Sequence, residues 1–222
     1  MNIMSNAERR KYRMEPVPET LSPATYNLAL GGFVFYGFLI NAFMVYALGD
    51  KLRNINSIVF LILYFVCCIA GSLFARSRNP IMSFLGYNLI VVPIGVLLCM
   101  FLPGYSMSAI LPAIVTTGGI AVVMTLLSTL FPNVFLKMGR GLFISLIIGI
   151  LAQFIAYLFG YAGGLFNWGF VILFSLYLGF DWARAQKYPK TLDNAIDSAI
   201  DIYLDLINIF IRLLQIFGKR DS

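Results

Sequence analysis

Seven stretches of this chain stay apolar for roughly the 20 residues that a helix needs to cross the hydrocarbon of a bilayer. They run approximately over 25–48, 57–75, 81–102, 107–131, 141–160, 165–182 and 193–217, with short connections between them. Strands of a membrane barrel would instead alternate polar and apolar residues over about 10 positions. With 60% of 222 residues apolar and 12% charged, a soluble domain has no means of hiding the apolar surface. The expected fold is therefore an all-α membrane protein, a compact seven-transmembrane-helix bundle occupying residues 24–218. Residues 1–23 are polar, with Pro16, Pro18 and Pro23, and read as a cytoplasmic tail; 219–222 form a short second tail. Without an apolar core in the first 20 residues, a cleaved signal peptide is not expected.

The basic residues set an orientation, because Lys and Arg concentrate in cytoplasmic loops. One set of alternate connections holds Arg9, Arg10, Lys11, Arg13, Arg76, Arg78, Lys137, Arg140, Arg184, Lys187 and Lys190. The other holds only Lys51, Arg53, Lys219 and Arg220. The N-terminus is thus expected in the cytoplasm and the C-terminus outside. This distribution accounts for the net charge of +6, so no nucleic-acid partner is expected. The chain contains no histidine, so a response to pH near neutrality is expected from perturbed carboxylates, ahead of thiols. Cys67, Cys68 and Cys99 lie in apolar spans without metal-ligand spacing and read as packing residues. No cofactor is expected. Pro93, Gly95, Pro112, Gly118, Gly119 and Gly149 mark places where a membrane helix can bend or pack closely.

The last span differs from the others. Asp193, Asp197, Asp201 and Asp205 recur every fourth residue, and a four-residue step drifts only about 40° around a helix, so all four share one face. Asn208 and Arg212 lie on that face as well. A carboxylate near the middle of a membrane costs about 2.5–3.5 kcal/mol and needs a cavity or a partner. Asp193 and Asp197 read as interfacial residues of the first helical turns, where the dipole favours negative charge. Asp201 falls at the boundary and Asp205 is deepest. Asp181 closes the sixth span, in SLYLGFDWARAQ, where the chain turns back into the seventh. Two carboxylates meeting there cannot both ionise cheaply and share a proton, which supplies a pH-sensitive element. The same oxygens suit a hard cation, making Asp181 and Asp205 candidate Ca²⁺ ligands. Asp197, Asp201, Asn208 and Arg212 are candidates for a pore or its entrance.

The stretch IYLDLINIFIRLLQIFG, 202–218, closely resembles the C-terminal signature of the Bax-inhibitor-type (transmembrane Bax-inhibitor-motif) family, and SLYLGFD, 175–181, resembles that family's sixth-span ending. The resemblance implies seven helices with the C-terminal one enclosed by the other six. It also implies, from bacterial members, an Asp181–Asp205 pair that senses pH and gates a calcium leak. An arginine at the inner end of the second helix, which latches onto the pair, corresponds to Arg76, with Arg78 beside it. The chain departs from the pattern in having no acid within 57–75 and in carrying Asp193, Asp197, Asp201 and Arg212.

Three functions compete. The first is a pH-sensitive calcium leak channel or other cation conduit in a bacterial plasma membrane. The second is an interaction protein that binds a membrane partner and regulates a protease or a cell-death pathway without transport. The third, an intramembrane aspartyl protease, also places aspartates on its sixth and seventh helices. Its motifs are missing: the chain reads LGFD where GxGD is wanted, and no PAL follows YLD. The expectation is a protein that is not an enzyme, with the bilayer and calcium as partners.

Overall fold

The computed structural model describes residues 20–160 and 164–218. The tails 1–19 and 219–222, with the basic residues counted in them, lie outside the described residues. Among the described residues there are seven α-helices and no strand. They are α1 (Pro23–Leu52), α2 (Ser57–Ala75), α3 (Pro80–Phe101), α4 (Met107–Leu130), α5 (Pro132–Leu158), α6 (Gly164–Ala185) and α7 (Leu192–Phe217), with a short 3₁₀ turn at Leu102–Gly104. Local sequence explains where they begin. Ser22 accepts from the Thr25 N–H ahead of Pro23. Asn56 accepts from Ile58 and Val59, and Asn79 from Ile81. Each satisfies amides that open a helix, and proline suits the first helical position.

Six helices, α1 to α6, are long and apolar enough to cross a membrane. They carry exposed apolar residues along their length, such as Ile58, Val115 and Ile148, which suit contact with lipid. The seventh predicted span does not reach that composition, because α7 carries the aspartates. Yet α7 is exposed only at its two end residues, Leu192 and Phe217. The fifth span also differs from expectation. It was expected from 141, but α5 begins at Pro132, so Lys137 and Arg140 lie on a helix rather than in a loop. Nothing between Pro132 and Gly141 stops a helix once proline has started it, and long basic side chains reach outward from helix ends.

The chain forms two compact units. The first contains the residues up to Met100 and Ala185–Ile200. Its helices α2 and α3 meet backbone to backbone at Gly71 and Gly86. A Cβ on Gly86 would lie 2.6 Å from the Gly71 carbonyl oxygen, and one on Gly71 would lie 2.8 Å from that of Gly86. Gly95 fits against Met44 and Asn41 of α1 in the same way. The turn into α7 is tied to α1 through Tyr26, whose hydroxyl donates to the Ala185 carbonyl at 3.1 Å and reaches Ser198 Oγ at 3.3 Å. Lys190 stacks its ammonium on the Tyr26 ring at 4.4 Å and donates to the Gln186 carbonyl at 3.0 Å.

The second unit contains Phe101–Arg184 and the chain from Asp201 onward. Here α5 and α6 interlock through rings set over glycines. A Cβ on Gly139 would lie 2.6 Å from the Phe180 ring, and Gly179 is covered by Phe135. Trp182 donates to Thr129 Oγ1 at 2.9 Å, tying α6 to α4. At the end of α7, Gly218 sits under Tyr105 so closely that a Cβ would meet its ring. Gly118 and Gly119, expected at a tight packing site, have open space around them.

These contacts predict a contrast between glycines. Gly86→Ala drives a methyl into backbone that cannot turn aside, costing about 1–3 kcal/mol as overpacking does. Gly118→Ala has room and gains up to about 1 kcal/mol from helix propensity. Thermal unfolding of the two variants in detergent should move in opposite directions; equal shifts would contradict the packing described.

Candidate functional site

α7 alone combines a polar stripe with burial along nearly its whole length. Thr191 starts it, accepting from the Asn194 N–H at 3.4 Å, while the Asn194 side chain donates to the Pro189 carbonyl at 3.0 Å. From there the helix is continuous, and the four-residue spacing of its acids holds. A buried polar stripe must find polar neighbours, since an unsatisfied group away from water is costly.

In the second unit those neighbours come from α6. Arg184 lies one turn beyond Asp181 and turns one guanidinium nitrogen to two carboxylates. Its Nη2 is 2.7 Å from Asp181 Oδ1 and 2.5 Å from Asp201 Oδ2. The bridge thus ties α6 to α7. Its head rests over the Phe180 ring at 5.1 Å, the ring that Gly139 accommodates from α5. Asp205, one turn past Asp201, is crowded by the charge of Asp181. Both are buried, at 5% and 7% exposure. Asp205 Oδ2 is buried without a hydrogen-bond partner. Tyr177, one turn before Asp181, lies within electrostatic reach of Asp181, Asp205 and Arg184. The cluster therefore holds three carboxyls against one guanidinium, and such a charge balance favours taking up a proton or a cation.

The predicted pair is brought together. Arg184, which meets Asp181 but was not among the expected site residues, follows it by three residues, and i,i+3 pairs on a helix face each other. Arg76, the expected latch, is the C-cap of α2, and both Arg76 and Arg78 are exposed. Asp201 is the half-exposed foot of the bridge, as its boundary position suggested. Asp193 is intermediate in exposure, but Asp197, expected at the interface, is buried at 8% exposure. The reason is the chain before it. Thr191, Asn194 and Ser198 are buried too, so the first turns of α7 are covered rather than projecting into solvent.

The remaining stripe members are satisfied without acids. Asn208 folds its amide onto the Leu204 carbonyl at 2.8 Å. Arg212 donates to Asn167 Oδ1 and Gln153 Oε1, each at 3.0 Å, and lies over the Phe170 ring at 4.3 Å. Arg212, a candidate for the pore or its entrance, thus has neutral partners on α5 and α6. Among the described residues no group of three or more Cys, Asp or Glu is arranged to hold a metal. The cluster thus offers two buried acids and a guanidinium rather than the oxygen cage of six to eight ligands typical of calcium.

These features define a multi-pass α-helical membrane protein with a buried carboxylate–guanidinium cluster between its last two helices. The family described as Bax1-I, inhibitor of apoptosis-promoting Bax1, matches residues 20–222, and the chain belongs to it. A Helicobacter pylori protein (strain ATCC 700392 / 26695), described as uncharacterized, is 31% identical over 199 residues, covering 82% of this chain and 84% of the relative. A second, from strain J99 and described in the same way, is 31% identical over 158 residues, 67% of this chain and 66% of the relative. No solved structure matches.

Opposite stability effects are expected at the two ends of the cluster. Arg184→Gln leaves Asp181 and Asp201 facing each other without a cation. Because Arg184 and Asp201 side chains keep 28% and 33% exposure, the loss is about 1–3 kcal/mol rather than the full cost of a buried pair. Asp205→Asn removes a buried carboxyl from beside another and should leave stability unchanged or higher. Unfolding midpoints at neutral pH check both, and a destabilised Asp205→Asn would refute the crowding of charge.

Proposed function

We propose that the protein is a cation leak pathway of a bacterial plasma membrane, with calcium as its cargo, and that protonation of the Asp181–Asp205 pair opens it. The observation that carries this reading is the bridge from Arg184 to Asp181 on α6 and Asp201 on α7, with Asp205 crowded against the same Asp181. While the acids are ionised, the guanidinium clamps the two helices and the path stays closed. A proton on the pair releases Asp181 from Arg184 within α6 and leaves the single Arg184–Asp201 contact to hold α6 to α7, so the two helices part more readily. Arg184 takes the latch role for which Arg76 and Arg78 were candidates. With α7 enclosed by the other six helices, the cytoplasm on the N-terminal side and a negative interior, a divalent ion is drawn inward by about 4.6 kcal/mol per 100 mV. Hydrolysis is not part of the proposal: an arginine on Asp181 stands where an aspartyl protease needs a water.

The description of the matched family, inhibition of an apoptosis-promoting protein, speaks for a second reading. There the chain binds a membrane protein partner and moves no ion, and its acids serve only to hold helices in register.

Calcium flux into proteoliposomes over roughly pH 5 to 8, the range that histidine-free chains must cover with carboxyls, separates the two. Flux should rise as pH falls. Asp205→Asn should abolish that dependence, and Arg184→Gln should leave flux high at every pH. Flux that ignores pH and survives Asp205→Asn unchanged would overturn the gating; no flux at all would favour the interaction protein.

A further inference from the structure

We propose that the groove between α5 and α6 binds an anionic phospholipid, its tail in the groove and its headgroup at Arg212. The groove encloses about 580 Å³ and is lined by apolar residues, among them Leu142, Leu165, Phe166, Phe170 and Leu173. Its mouth is bordered by Leu165 and Ile172, 76% and 61% exposed, as lipid-facing residues are. Gly149 gives the groove its depth, because a Cβ there would come within 3.2 Å of the Phe170 ring.

The polar end lies one turn further along the same two helices. Gln153 follows Gly149 by four residues and Asn167 precedes Phe170 by three, and both amide oxygens accept from Arg212. Phe170 joins the two parts, lining the groove and lying beneath the guanidinium at 4.3 Å. The groups seen to hold Arg212 are neutral, and the ion pair that reaches α7, Arg184 with Asp201, belongs to another arginine. A guanidinium has five N–H donors, so after two amides three still point at something else. A half-buried cation in a membrane protein calls for a counter-ion, and among the described residues no carboxylate is paired with Arg212. The medium supplies one. A molecule with an anionic head and an alkyl tail satisfies both ends at once, and the lipid-facing mouth makes the bilayer its source.

The test uses the full chain purified into nanodiscs of phosphatidylcholine with and without phosphatidylglycerol of the same chain length. Lipid that remains bound is identified by native mass spectrometry, and thermal midpoints are recorded alongside. The wild type should retain phosphatidylglycerol over phosphatidylcholine by about fivefold, the worth of one basic residue against an anionic headgroup. Arg212→Gln should bring the two lipids to parity, while Arg212→Lys keeps the preference. Gly169 lines the groove and has open space around it, so Gly169→Leu fills the groove without a clash and should reduce retention of either lipid. This last variant decides the matter if Arg212→Gln fails to fold. Equal retention of both lipids by the wild type, a preference that survives Arg212→Gln, retention untouched by Gly169→Leu, or a free fatty acid found in place of phospholipid would each overturn the proposal.

Discussion

One guanidinium carries the arrangement of the last two helices. Arg184 lies between Asp181 of its own helix and Asp201 of the next. Removing a charge from water is expensive unless a partner of opposite sign meets it, and this arginine meets two aspartates. Asp181 and Asp201 each have its guanidinium nitrogen beside them, while Asp205 is crowded by Asp181. The Phe180 ring beneath Arg184 and the Gly139 beneath that ring extend the dependence to α5. A small residue on one helix thus sets where a charge rests on another.

Much of this was legible in the chain. Apolar runs located six of the seven helices within a few residues at both ends, because hydrophobic length is the constraint a bilayer imposes most directly. The start of α5 was less legible, since a helix goes on past its apolar part wherever nothing breaks it. The four-residue spacing of the α7 aspartates announced a shared face, and the C-terminal motif paired Asp205 with Asp181. The contact between Arg184 and Asp181 was missed for a physical reason. Arg184 reads as one more basic residue of a cytoplasmic turn, and the i,i+3 spacing from Asp181 gains meaning only once α6 is known to continue to Ala185. Asp197 was misjudged because helix-start acids are normally wet, whereas here Thr191, Asn194 and Ser198 around it are buried.

The two arginines near the α7 stripe illustrate how neighbours assign roles to one residue type. Arg184 has carboxylates on either side and becomes a crosslink. Arg212, seven residues beyond Asp205 and about 10 Å along the axis, has amides and a ring and keeps its charge available. Position on the stripe alone would have made them equivalent.

The contact between Gly218 and Tyr105 has a consequence for how such sequences can vary. The residue after the end of α7 and the residue after the 3₁₀ turn occupy the same small volume. A side chain at 218 requires a smaller group at 105, so substitutions at these two distant positions are a single event for selection. Where relatives of this chain carry anything other than glycine at the first, the ring at the second is the place to look for the compensating loss.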